Sequence, residues 1–227
     1  MVGEEENSNP YTLDPPGKIA VIGAGPLGIE AALYGRYLGY DVTIYEAHEV
    51  GFNLISCSTE DLPLLPDRTL SNLAVQALLT QQELASLTFP VSINQWVCDH
   101  LNPLTETDLL AGRVLTGCNV KRIDLVPVET DQNVAHSEVI PADFRITYTN
   151  TNNDICDAIF EATILAVGKE LNIELPLPPT TPYLFRIGAT PSDDWENSLV
   201  AGYREITRIF ADLGGRPDLD LYRPKRH

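Results

Sequence analysis

Hydrophobic and polar positions change rhythm several times along this chain, and each change marks an element. Ile19, Ala20, Val21 and Ile22 form a short continuous apolar run, the pattern of a strand buried on both faces. From Pro26 the spacing turns helical. Leu27, Ala31, Tyr34 and Leu38 make one stripe, proline is tolerated in the first turn, and Gly39 stands where a helix stops. A helix is predicted over 26–38, and a second buried strand follows at Val42, Thr43, Ile44 and Tyr45. Between 47 and 117 the pattern is irregular and is broken by Pro63 and Pro66; helices are predicted over 70–84 and 106–110. From Asn119 the period drops toward two. Ile123 and Leu125 alternate with Arg122 and Asp124; Phe144, Ile146 and Tyr148 alternate with Arg145, Thr147 and Thr149. The asparagine-rich run 150–154 reads as a turn, and 155–160 returns as a strand. This predicts a three-stranded antiparallel meander, delivering the chain into a buried strand that ends Ala166-Val167-Gly168.

Prolines crowd 169–182. Tyr183 to Ile187 then forms a last buried strand, closed by Gly188. Ser192, Asp193 and Asp194 signal a helix start, and Leu199, Tyr203, Ile206, Ile209, Phe210 and Leu213 set its apolar face before Gly214 and Gly215. The predicted organisation is a disordered lead-in over 1–16, one α/β nucleotide-binding domain over 17–215, split by the proline-rich link at 169–182, and a loosely held tail over 216–227.

Charge narrows the partners. The 32 acidic side chains outnumber the 15 basic ones, for a net charge of −17. Such a surface repels nucleic acid and anionic membranes, and neither is an expected partner. The start Met-Val-Gly-Glu-Glu-Glu lacks the basic flank and apolar core of a signal peptide, and no apolar stretch approaches a membrane span. Cys57, Cys98, Cys118 and Cys156 form no Cys-x-x-Cys pair. They read as reduced thiols of a cytoplasmic protein, without a cysteine-based zinc site.

The chemistry sits at the first change of rhythm. The run Gly23-x-Gly25-x-x-Gly28 joins the first strand to its helix, and Glu46 ends the next strand. Strand, glycine turn, helix, strand and acid is the layout of a dinucleotide-binding βαβ unit. Gly23 permits the tight turn, Gly25 lets backbone approach a pyrophosphate, and Gly28 lets helix and sheet close up. Pro26 and Leu27 open a helix whose N-terminus offers free N–H groups and partial positive charge to phosphates. Glu46 is placed to accept hydrogen bonds from ribose hydroxyls. The alternative is a glycine turn that merely closes a tight βα packing.

The order of these parts resembles the FAD domain of flavoproteins that carry two dinucleotide-binding domains, those similar to pyridine nucleotide-disulfide oxidoreductases and flavin monooxygenases. The resemblance runs in pieces from Lys18 to Leu213. It implies a Rossmann-like FAD/NAD(P)-binding fold, a central parallel sheet with helices and an antiparallel β-meander. FAD is the implied cofactor, with hydride transfer to or from the flavin. Gly23, Gly25, Gly28 and Glu46 match the pyrophosphate turn and the ribose acid. Ala166-Val167-Gly168 is similar to the alanine-threonine-glycine strand end that passes close to the cofactor, with Val167 in place of threonine. Gly188-Ala189 matches the glycine-aspartate that closes the last strand. The family's aspartate hydrogen-bonds the ribityl chain, and its loss weakens FAD by roughly 10- to 100-fold.

A second departure is larger. In the two-domain proteins a pyridine-nucleotide domain lies between those last two strands, whereas here only residues 169–182 do, too few for a domain. Electrons are then expected from a small-molecule substrate oxidised directly at the flavin or from a reductase partner. His48, His100 and Glu106 are candidate bases, and Trp96, Cys98 and His100 are candidate neighbours of a flavin, against the plainer reading of core residues. A non-catalytic module that binds FAD, NAD(P) or ADP for sensing or scaffolding remains the alternative. Substrate and oligomeric state stay open.

Overall fold

A computed structural model describes residues 12–55, 61–80, 90–126, 141–168, 172–189 and 194–223. Cys57 and part of the predicted helix over 70–84 lie outside them. The chain opens with β1 (Lys18–Ile22), α1 (Pro26–Tyr37) and β2 (Asp41–Tyr45). Short elements follow: α2 (Phe52–Ile55), a 3-10 turn (Pro66–Arg68), α3 (Asn72–Leu79), α4 (Ile93–Trp96), a π-helical turn (Val97–Leu101), α5 (Asn102–Thr105) and β3 (Val114–Leu115). The meander is β4 (Asn119–Val126), β5 (Asp143–Thr149) and β6 (Ile155–Phe160); then come β7 (Ala162–Leu165), β8 (Leu184–Arg186) and α6 (Trp195–Leu213).

Five strands form one parallel sheet in the order β3-β2-β1-β7-β8. β1 sits at its centre and is buried from Ile19 to Ile22, which is why it reads as an unbroken apolar run. β4-β5-β6 form a separate antiparallel sheet. Tyr45 of β2 packs on Tyr148 and Phe160 of that sheet, with ring centroids 4.8 and 5.9 Å apart, and so ties the two sheets together. The fold is therefore Rossmann-like, a parallel sheet with helices and an antiparallel meander, as the alternation of periods predicts.

Helix α1 is buried over every residue from Gly28 to Gly35. A Cβ at Gly35 would meet Val42 at 2.9 Å and Phe210 at 3.0 Å, so this glycine sets how closely α1 approaches both β2 and α6. Tyr34 stacks on Phe210 with centroids 5.1 Å apart. The segments that flank the domain also pack. Leu13 is buried and donates its N–H to the Leu213 carbonyl at 2.7 Å, while the Tyr40 hydroxyl donates to the Leu13 carbonyl at 2.7 Å. At the other end Tyr222 lies between Tyr34 and Tyr203, at 5.3 and 5.2 Å.

Two local expectations differ. No helix forms over 106–110: Thr107 and Leu110 close turns onto Leu104 and Thr107, and Gly112 at φ +73° ends the run. The helical residues lie earlier, over 93–105, where the Ser92 hydroxyl accepts from the Gln95 N–H and starts α4. The short strand β3, held to β2 by two register pairs, has no pattern of its own in the sequence.

Candidate functional site

The centre of the site is the corner where β1 becomes α1. Gly23 has φ +107°, and its N–H donates to the Tyr45 carbonyl at 2.8 Å; a Cβ there would meet the Ala166 carbonyl oxygen at 2.7 Å. A Cβ on Gly28 would lie 2.0 Å from the Gly23 carbonyl oxygen, so the first turn of α1 closes onto the loop only with glycine. Gly25 differs from both. It is the N-cap of α1 at φ −77°, and a Cβ there would meet nothing within 4 Å. Its lack of a side chain solves no packing problem inside the protein. It keeps open the space in front of the helix N-terminus, whose first N–H groups have no intrahelical acceptor.

Two clefts meet at this corner and share Gly25, Pro26, Leu54, Ala166 and Gly168. The larger, about 430 Å³, runs past Gly23 to Glu46, His48, Phe52, Cys118 and Asn119. The smaller, about 250 Å³, is more apolar and is walled by Leu27, Trp96, Ile187, Gly188, Trp195 and Leu199. Neither lining includes a lysine or arginine among the described residues. Positive potential for an anion therefore comes from the α1 dipole and backbone amides rather than from cationic side chains.

Glu46 anchors the larger cleft. Its Oε2 accepts from the Ala24 N–H at 2.7 Å and its Oε1 from the His48 N–H at 3.0 Å. Each carboxylate oxygen has a second lone pair, so both retain capacity for one further donor. The Ala24 bond ties the acid to the glycine turn itself, so one side chain fixes the end of β2 against that turn. His48 stacks on Phe52 at 4.0 Å and forms an aromatic rim beside it.

The remaining predicted residues fall as follows. Ala166 hydrogen-bonds through its N–H to the Ile22 carbonyl at 2.8 Å, which places the end of β7 alongside the glycine turn, and Val167 lines the larger cleft. Gly168 turns at φ +68° and its carbonyl accepts from Arg186 at 2.7 Å. Gly188 lines the smaller cleft, and its N–H is held by Glu205 of α6 at 2.8 Å. Ala189 follows Gly188 and lines neither cleft. Of the candidate bases and flavin neighbours, His48 and Trp96 line a cleft, while Cys98, His100 and Glu106 do not. Trp96 is buried and donates its indole N–H to the Thr69 carbonyl at 2.8 Å, so its ring forms a fixed wall. The sequence pattern gave no sign of Asn119, Cys118 or Trp195, which reach the clefts from the meander and from α6.

A buried acid lies behind this corner on the same helix. Glu30 is 4% exposed, and burial pushes its carboxyl up to about 7 against the opposing pull of the Ser71 and Tyr222 hydroxyls.

No protein-family model matches the chain. Two curated proteins share a short stretch with it. They are the NAD-dependent dihydropyrimidine dehydrogenase subunit PreT of Salmonella typhimurium and its homolog in Salmonella typhi, each 63% identical over 30 residues, which is 13% of this chain and 7% of theirs. Among solved structures, bacillithiol disulfide reductase Bdr (YpdA) from Bacillus cereus aligns with 67% of this chain and 40% of its own, at 14% identity and a TM-score of 0.47. S-allyl-L-cysteine S-oxygenase from Allium sativum aligns with 66% of this chain and 36% of its own, at 16% identity and a TM-score of 0.45. OTEMO in an FAD-bound form aligns with 69% of this chain and 26% of its own, at 19% identity and a TM-score of 0.45. The chain spans less than half the length of each of these proteins.

Proposed function

We propose that the joined clefts bind FAD and that the protein is a flavoprotein of oxidoreductase descent. The observation that carries this reading is the open approach at Gly25, where even a Cβ would meet nothing within 4 Å. Open space stands before a helix N-terminus, with a carboxylate at one end and an apolar cleft at the other. In this reading the pyrophosphate lies against the first amides of α1. Glu46 takes the ribose hydroxyls of the adenosine half, and Leu27, Trp96, Ile187 and Trp195 enclose the flavin half. A bound flavin supplies hydride acceptance and donation. The chain's own residues bind and orient it, exclude water through the two tryptophans, and point the N-terminus of α6 toward one edge of the ring system. Asp194 caps that helix, accepting from the Glu196 and Asn197 N–H groups at 2.9 and 3.2 Å.

Electrons come in this reading from a substrate oxidised directly at the flavin or from a reductase partner. The second route has support in the name of the short-matching relatives, which are called subunits. A second reading keeps the dinucleotide and drops the catalysis. It is favoured by the smaller cleft, where Ser198 is the one aliphatic hydroxyl among the described lining residues and no carboxylate or histidine appears.

Denaturing the purified protein and identifying what it releases tests the proposal. FAD in near-stoichiometric amount is the expected result; release of NAD(P) or ADP alone, or failure of the apoprotein to take up added FAD, overturns the flavin reading. Anaerobic reduction separates the two readings, because a scaffold leaves the flavin oxidised with every donor.

A further inference from the structure

A cleft of about 660 Å³ lies away from the dinucleotide corner, between α3, α6 and the C-terminal segment. Residues 217–223 supply one of its walls through Pro217, Asp220, Tyr222 and Arg223. The attachment of that wall is unusual. The Leu221 N–H donates to the Tyr34 hydroxyl at 3.1 Å, and the Tyr222 ring slots between Tyr34 of α1 and Tyr203 of α6. This brings the Tyr222 hydroxyl to Glu30. The Ser71 and Tyr222 hydroxyls flank the carboxyl, yet Glu30 Oε1 and Tyr222 Oη each lack a hydrogen-bond partner among the described residues.

Four hydroxyl-bearing side chains face Glu30. Tyr37 comes from its own helix, Ser71 from α3, Tyr203 from α6 and Tyr222 from the C-terminal segment. Tyr34 adjoins them from α1, next to Asp220. All that face the carboxyl are neutral hydroxyls. The charged groups of the cleft, Asp67, Arg68, Glu196, Arg204, Arg208, Asp212, Asp220 and Arg223, are not among those that act on it; Arg68 pairs with Asp67 and Glu196, Arg208 with Asp212 and Arg223 with Asp220. An ionised Glu30 under the docked segment would be a buried charge without a cation, a costly state.

We propose that residues 217–223 are a pH-gated strap, which docks over a neutral Glu30 and detaches when that carboxyl ionises, opening the cleft beside α6. Docking dries the carboxyl and holds it protonated; detachment returns it to water, where the ionised form is favoured. The docked state therefore carries one proton more than the detached state between the ordinary glutamate range and about 7. Raising the pH through that window drives the strap off, and the effect levels above it.

Hydrogen exchange at the Leu221 amide of the full chain, corrected for intrinsic rate, reads the opening directly. From pH 5 to pH 8 its opening constant should rise roughly 100-fold in the parent, whereas Glu30→Gln should show no rise. A parent constant that stays level, or a Glu30→Gln profile that follows the parent, overturns the proposal. Tyr222→Ala provides a second arm that leaves Glu30 in place. Fast exchange at Leu221 at both pH values is expected, and protection equal to the parent's overturns the strap.

Discussion

At the scale of single residues, the three glycines of the turn are not equivalent. Gly23 and Gly28 are required by the protein's own backbone, whereas Gly25 faces open space at an ordinary φ of −77°. A side chain at Gly25 is thus tolerated by the fold and opposed only by a ligand. Gly25→Val is expected to lower nucleotide affinity at least 100-fold while shifting the melting temperature by only a few degrees, measured by titration of the apoprotein and by calorimetry. Parent-like binding by this variant would show that no diphosphate lies there. Glu30 gives a prediction of opposite character. Its carboxyl is raised to about 7 in the fold and returns to the ordinary range when the chain unfolds. The unfolded state therefore loses its proton first, and stability falls as pH rises from about 4.5 to about 7. Glu30→Gln removes that loss. The variant should gain on the order of 3 kcal/mol over the parent at pH 7.5. The gain should shrink to near nothing at pH 4, in urea titrations at the two pH values.

At the scale of elements, legibility follows burial. β1 from Ile19 and β7 are buried on both faces and β2 is buried at Val42, Ile44 and Tyr45, so all three are dominated by apolar residues, and α1 follows from the glycine turn that precedes it. The meander is half-covered and alternates, so its strands are legible as well, though not the register shift between Val120 and Arg122. The stretch from 47 to 117 was not legible. Its helical pieces are three to five residues long except α3, little more than one turn each, and the run over 93–105 is broken by a π-helical turn that shifts the 3.6-residue repeat; Ser92 and Ser71 cap α4 and α3, and α3 packs on α1. The site shows the same division. Gly23 and Gly28 are legible because backbone geometry demands glycine there; Asn119, Cys118 and Trp195 reach the clefts from distant elements with nothing local to mark them. Helix α6 joins both ends of this range. Its apolar face follows from spacing, and its start depends on Asp194, which satisfies two first-turn N–H groups. Asp194→Ala should cost about 1 kcal/mol and lower the melting temperature by roughly 2–4 °C. Scanning calorimetry checks this; an unchanged melting temperature would mean that other contacts fix the helix start.

At the scale of the whole molecule, charge and site work in different places. A net charge of −17 would repel a dinucleotide from most of the surface. In the proposed reading the two clefts counter this without a single lysine or arginine in their described linings, through the N-terminus of α1. No helix among the described residues is long and apolar enough to cross a membrane. The link between β7 and β8 also belongs to this scale. Its residues 172–177 do not hang free: the Ile123 N–H donates to the Glu174 carbonyl at 3.0 Å, the Glu174 N–H donates to the Lys121 carbonyl at 2.9 Å, and Arg122 pairs with the Glu174 carboxylate at 3.1 Å. Beyond that clasp, Pro178, Pro179 and Thr180 are exposed, and the chain then re-enters the sheet at β8. Both ends of this bend are thus fastened independently, one to the meander and one to the parallel sheet. Extra residues spliced in at its crown would load neither anchor, which makes this bend the place where the chain best tolerates lengthening.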